Sequence, residues 1–280
     1  MASKLTVGNV EIVALTDGEG PFPFKLSQVF PTAKAAQWEP FRKRYPQLFV
    51  DADTWHNHYG CYLLRSRGRT LLVDTGIGPG PVELLGGARG RLLEELKAGG
   101  VSPEGVDTVF LTHLHIDHVG WNLSDGKPTF PKARYVFHQA DWEAFHRPEA
   151  TAGLPPYVAQ VVTPLKDLGV LDLVAGEKSL TDEVVAIPTP GHTPGHMSIL
   201  VSSGGQKAFI LGDVALHPAQ ITEAGWNAAF DMDGERALAT RKQILDRLEA
   251  EGLTMAACHF PEPGFGRIVR LEGRRYWQAL

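Results

Sequence analysis

Thr112-His113-Leu114-His115-Ile116-Asp117-His118-Val119-Gly120 carries four side chains able to ligate a metal within a span of six residues. The apolar run Val109-Phe110-Leu111 precedes it and reads as a short buried strand, with the histidines on the turn at its end. In an extended chain, residues i and i+2 point the same way. His113 and His115 can therefore grip one cation together. Asp117 and His118 lie beyond the tip and can turn toward a second. Imidazole nitrogen with carboxylate oxygen is a ligand set typical of zinc, though not unique to it. The alternative is a polar loop that is histidine-rich by accident. Ligand-type residues in matching contexts elsewhere in the chain argue against it.

Those contexts are Val73-Asp74-Thr75-Gly76 upstream and Thr189-Pro190-Gly191-His192-Thr193-Pro194-Gly195-His196 downstream, followed by Leu211-Gly212-Asp213 and Cys258-His259. Taken in order, they resemble the H-x-H-x-D-H signature and accompanying ligands of the metallo-β-lactamase superfamily, over most of the chain. The segments around 90–120, 217–220 and 235–270 look most like its methyl parathion hydrolase and acyl-homoserine lactone lactonase branch. The resemblance implies an α/β fold, a four-layer αββα sandwich, formed by residues 1–280 as one domain. It implies that His113, His115 and His192 hold a first metal, that Asp117, His118 and His259 hold a second, and that Asp213 bridges them. Each cation then has three ligands and a shared carboxylate, which leaves positions open for water as a catalytic site requires. Two zinc ions in such sites share a hydroxide and lower its pKa toward neutrality. Asp117 and Asp213 become the catalytic carboxylates, and no side-chain nucleophile is needed. Asp74 is expected to orient a ligand histidine, and His196 to support the site or pack behind it. His56, His58 and His217 read as surface or core histidines.

The activity this implies is hydrolysis of a lactone or related ester, with phosphotriester cleavage as a main or side activity. A glyoxalase-like thioester hydrolase is the alternative enzyme, but the chain lacks an evident basic cluster for glutathione carboxylates. An iron oxygenase of the same superfamily typically uses one metal. A non-enzymatic binding protein on this fold would have lost ligands, and none is missing here.

Composition bounds the partners. The 280-residue chain is 43% hydrophobic, enough to build an ordinary globular core. A formal net charge of −5 argues against a nucleic-acid partner. No apolar run approaches the roughly 20 residues that span a bilayer, and no signal-type apolar core follows the N-terminus. A cytoplasmic protein without a membrane partner is expected, and related hydrolases suggest a homodimer. Cys61 and Cys258 are too few for a disulfide framework. Cys258 precedes a candidate ligand and could be read as a metal thiolate, but a buried thiol pointing away from the His259 side chain is expected, because neighbours in an extended segment alternate.

Periodicity predicts a first strand over Val7–Leu15, ending at Thr16-Asp17-Gly18. An aromatic-rich loop segment follows at about 20–58, with a short helix through Ala33–Arg44; its rings are expected to need a pocket or a partner surface. Next come a hairpin around Arg67-Gly68-Arg69, a helix at Leu92–Leu96, and strands leading into each ligand group. A helix is predicted over Pro155–Lys166, and a long one from Gly234 to Glu251 with Asp233 as its cap. Arg241 interrupts the apolar stripe of that long helix, either as a buried paired arginine or as a solvated one at the stripe's edge.

Overall fold

The computed structural model describes residues 3–280. Its strands form two seven-stranded mixed sheets. The first sheet begins with β1 (Lys4–Val7), β2 (Val10–Lys25), β3 (Thr54–Ser66), β4 (Arg69–Val73) and β5 (Thr108–Phe110). A two-stranded hairpin, β6 (Leu123–Ser124) and β7 (Lys127–Pro128), stands apart from it. The sheet is completed by β8 (Arg134–His138) and β9 (Leu171–Val174). The second sheet is formed by β10 (Lys178–Thr181), β11 (Val184–Pro188), β12 (Met197–Ser203), β13 (Gln206–Ile210), β14 (Thr254–Ala256), β15 (Phe265–Leu271) and β16 (Arg274–Ala279).

Period-2 alternation sorts the side chains into layers. On β4, Leu71 and Val73 face the second sheet, while Leu72 faces helix Leu92–Ala98 on the outside. On β13, Ala208 and Ile210 pack inward, while Phe209 packs outward with Ile244, Leu245 and Leu248 of helix Gly234–Ala250. Three apolar layers thus separate helix, sheet, sheet and helix, which is the αββα order. The parallel pairs β4–β5 and β13–β14 need crossover connections. Their C-terminal ends deliver Asp74, the Thr112–His118 loop, Asp213 and His259.

Several expected elements differ. The first predicted strand is split, because Gly8-Asn9 turns the chain and β1 pairs back on β2 with Val7 opposite Val10. Beyond Gly18, β2 continues to Lys25 beside β3, with Gly20 opposite Asn57. The segment at 20–58 is therefore loop-like only between these strands, where short helical turns run from Leu26 to Leu48. Phe30, Trp38, Phe41 and Tyr45 are buried in the layer outside the second sheet, and Trp38 packs on Trp226 with ring centroids 4.8 Å apart. That layer was incomplete without them, so most of the rings cover its flank. The stretch 155–166 is not one α-helix: Val158–Val162 is wound as a π turn, and Pro164–Asp167 adds one α turn. Pro164 has no N–H to give the preceding turn. Among the described residues, no helix is long and apolar enough to cross a membrane.

Candidate metal centre

The loop between β5 and β6 is pinned before it can carry ligands. Asp74, at the end of β4, accepts from the Thr112 backbone N–H at 2.7 Å and from the Thr112 hydroxyl. It also meets His118 Nδ1 at 2.9 Å. Asp74 sits at φ +61°, a left-handed conformation that aspartate tolerates better than most residues. The expectation that it orients a ligand histidine matches this geometry.

Two groups of donors converge on Asp213. His192 Nε2 and His113 Nε2 lie 3.2 and 3.6 Å from Asp213 Oδ2. His115 Nδ1 is 3.0 Å from His113 Nε2 and 2.9 Å from His192 Nε2. On the other side, His259 Nε2 and His118 Nε2 lie 3.3 and 3.5 Å from Asp213 Oδ1. Asp117 faces that second group, 3.6 Å from His259 Nε2 and 3.9 Å from His118 Nε2. One carboxylate therefore presents one oxygen to each group of imidazole nitrogens. All seven residues singled out in the sequence meet here.

The donor set suits cations. His118 Nε2 is buried with no hydrogen-bond partner, which is costly unless something else satisfies it. Burial pushes the His192 imidazole toward neutrality, but the Asp213 and Asp231 carboxylates outweigh it and raise the group to about 9. His118 and His259 are raised in the same way, against their burial, with Asp213 beside both. The cluster of carboxylates demands positive charge, which protons or metal ions can supply.

Each remaining imidazole nitrogen of four of these histidines is held from behind. His113 Nδ1 meets the Thr112 hydroxyl at 3.1 Å, and His259 Nδ1 donates to the His58 carbonyl at 2.8 Å. His192 Nδ1 meets Asp231 Oδ1 at 2.9 Å. Such contacts fix ring orientation and tautomer, which a metal site needs. His196 Nε2 accepts from the Asp213 backbone N–H at 2.8 Å, so His196 holds the turn that bears Asp213 from behind. Gly212 makes this possible: at φ +56°, a Cβ there would come within 2.7 Å of His196 Nε2.

Arg241 is the buried paired arginine of the two forms weighed. It donates to the Val214 carbonyl at 2.8 Å, next to Asp213, and to Asp231 Oδ2 at 3.2 Å. It thus ties the backing of His192 to the turn that bears Asp213. Asp231 was missed in the sequence, where Phe230-Asp231-Met232-Asp233 signalled only a helix cap. Asp141 was missed too; it accepts from the Thr193 hydroxyl at 2.8 Å and the Gly195 N–H at 2.6 Å, bracing the His192 loop.

Cys258 is a buried thiol as expected, but the expected direction of its side chain is corrected. Its Sγ lies 3.2 Å from Asp213 Oδ1, within the same donor cluster as His118 and His259. Strand alternation fails here because β14 ends at Ala256 and the chain turns at Cys258-His259. His58 and His217 are buried outside the cluster. His58 meets the Thr16 hydroxyl at 3.0 Å, and His217 sits among the rings of Trp38, Phe49 and Trp55. His56 is on the surface, 3.6 Å from Glu19.

A cavity of about 260 Å³ opens over this centre. Its walls include Phe22, Phe24, Trp55, Leu85, Tyr157 and Phe230, and its floor is formed by His115, Asp117, His192, Asp213 and His259.

The chain matches the model of the metallo-beta-lactamase superfamily over residues 60–259. It belongs to that superfamily. An N-acyl homoserine lactonase from Bacillus sp is 27% identical over 214 residues, covering 71% of this chain and 78% of the relative. The protein YobT of Bacillus subtilis (strain 168), itself uncharacterised, is 30% identical and covers 79% of this chain and 88% of its own. The solved structure of the hydrolase AbOPH superposes with a TM-score of 0.85 at 26% identity, over 100% of this chain and 97% of that one. AidC, a dizinc quorum-quenching lactonase solved with a product bound, gives the same TM-score of 0.85 at 23% identity, with 100% and 97% covered, and shares the fold. This member of the metallo-beta-lactamase superfamily is a metal-dependent hydrolase.

Proposed function

We propose that this hydrolase opens a lactone, or cleaves a related ester, at a dinuclear zinc centre. The observation that carries the reading is the Asp213 carboxylate, whose two oxygens face two separate groups of imidazoles at the floor of an apolar cavity. His113, His115 and His192 would hold one ion, His118, His259 and Asp117 the other, and Asp213 would bridge. Cations held there would supply Lewis acidity toward the scissile carbonyl and toward an attacking water. The chain's own residues do the rest. The apolar walls exclude bulk water and hold the acyl part of a neutral substrate. Asp117 has 15% of its side chain accessible against 3% for Asp213, so it is the carboxylate placed to pass a proton to the leaving alkoxide. Asp74, Asp231 and the His58 carbonyl keep the ligand rings aimed.

The N-acyl homoserine lactonases at 27% and 28% identity support a lactone substrate. The cavity also suits a neutral phosphotriester, which we assign as a side activity. A glutathione thioester fits less well, because no lysine or arginine is among the residues lining the cavity. The same reading carries a homodimer, a cytoplasmic location and a single domain. A hydrolysis panel on zinc-loaded protein tests it, with short and long acyl lactones, aryl esters, a phosphotriester and a glutathione thioester. Lactones should give the highest kcat/KM. Turnover confined to the thioester would replace this reading with the glyoxalase-like one.

A further inference from the structure

The turn after β14 carries Cys258 and His259 side by side. It is clamped to β3 at two points. The Gly60 N–H donates to the Cys258 carbonyl at 2.9 Å, and His259 Nδ1 donates to the His58 carbonyl at 2.8 Å. The approach is so close that a Cβ on Gly60 would meet the Cys258 carbonyl oxygen at 3.0 Å. With the turn held this way, both side chains reach the same atom. Cys258 Sγ lies 3.2 Å from Asp213 Oδ1, and His259 Nε2 lies 3.3 Å from it.

His118 Nε2 completes the group, 3.5 Å from that oxygen. The donor atoms of His118, Asp213, Cys258 and His259 all lie within 4.8 Å of one another, and all four residues are buried. Zinc bonds of about 2.3 Å to sulfur and about 2.1 Å to nitrogen or oxygen, at tetrahedral angles, put ligand atoms roughly 3.5 Å apart. The spacings around Asp213 Oδ1 fit that pattern. A thiol that only donates a hydrogen bond to Asp213 would explain the Sγ contact. It would still leave His118 Nε2 buried without a hydrogen-bond partner, whereas a cation between the four donors satisfies that nitrogen as well. The other donor group, His113, His115, His192 and Asp213, contains no sulfur.

We propose that Cys258 Sγ is a metal donor, joining His118, His259 and Asp213 around the second ion. The thiol proton passes to solvent as the ion binds, because sulfur ligates as the thiolate. The inference rests on the dinuclear reading of the centre and adds a donor to it. The two sites then differ in kind, with nitrogen and oxygen alone around the first ion and sulfur beside the second. Thiolate favours soft ions, so the second site retains zinc or cadmium in preference to manganese.

The test titrates cobalt(II) into metal-free protein and records the absorption spectrum without substrate. A sulfur-to-cobalt charge-transfer band in the near ultraviolet should grow in as the site beside Cys258 fills. The chain has 2 cysteines, and Cys61, in the apolar layer outside the first sheet, belongs to neither donor group. Cys61→Ala should therefore keep the band. Cys258→Ser should abolish it while keeping a hydrogen-bond donor beside Asp213. By calorimetry, Cys258→Ser should weaken cadmium binding at this site at least about tenfold and change manganese binding by less than about threefold. Bound cobalt without the band in the wild-type protein overturns the proposal, whether or not any variant folds. A band that survives in Cys258→Ser overturns it too, as do equal losses for cadmium and manganese. The band with only one ion bound per chain keeps Cys258 as a donor and sinks the dinuclear reading. The band in a protein that opens no lactone keeps the donor and sinks only the lactonase reading.

Discussion

Asp213→Asn keeps the shape of the side chain that faces both imidazole groups and removes its charge. Loss of a central electrostatic element of this kind should lower kcat at least about 10²-fold. Metal titration of the variant should show weakened binding at the His118–His259 side as well, and near-normal turnover would mean that the carboxylate does not bridge. Arg241 makes a second residue-scale case. It is fully buried and paired with Asp231, also buried. Arg241→Met strands that carboxylate and should cost about 3–5 kcal/mol in chemical denaturation. Because Asp231 backs His192, affinity for the ion held there should fall roughly 10–100-fold. Arg241→Lys keeps the charge but loses the fork that reaches the Val214 and Ala224 carbonyls, and should fall between the two. An Arg241→Met protein with unchanged metal affinity would confine the arginine to packing.

At the scale of elements, the His192 loop depends on the helix Gln139–Phe145, whose Asp141 reaches across to it. Burial pushes the Asp141 carboxyl up to about 6, although the Thr193 and Gly195 donors oppose the shift. The folded protein therefore holds this proton more tightly than the unfolded chain. The stability linked to it is complete below about pH 4 and is lost as pH rises through about 6. Asp141→Asn has no proton to lose. Measured by denaturation, its stability relative to wild type should rise across that window by an amount on the order of 3 kcal/mol and then level off. A flat difference from pH 4 to pH 7 would show that the carboxyl titrates normally. The aromatic segment belongs to the same scale. Phe22, Phe24 and Trp55 do reach the cavity, but Trp38, Phe41 and Tyr45 close the layer outside the second sheet. Composition alone could not tell a cavity wall from a core wall, because burial of a ring is favourable in either place.

For the whole molecule, the candidate centre draws its donors from both halves of the chain. His113, His115, Asp117 and His118 come from loops of the first sheet, and His192, Asp213 and His259 from loops of the second. Protein purified without chelator should hold about two transition-metal ions per chain by elemental analysis. Stripping them should lower the thermal midpoint, since ions that bind only the folded state stabilise it by mass action. A fully active preparation with one ion per chain would sink the dinuclear mechanism.

Local order determined a good part of this. The H-x-H-x-D-H run, the His192 loop, Asp213 and His259 were legible because metal ligation needs particular side-chain types, and those cluster at strand ends that periodicity reveals. The uniformly apolar run Leu71-Leu72-Val73 showed no alternation, and only the structure sorted its side chains between the two layers. The groups behind the ligands were decided only by tertiary structure. Asp231 stands 39 residues from His192, and Asp141 stands 52 from Thr193. Cys258 turned toward Asp213 because its strand stopped two residues early. Whether a buried polar atom has a partner depends on chain that is distant in sequence, and no local pattern encodes that distance.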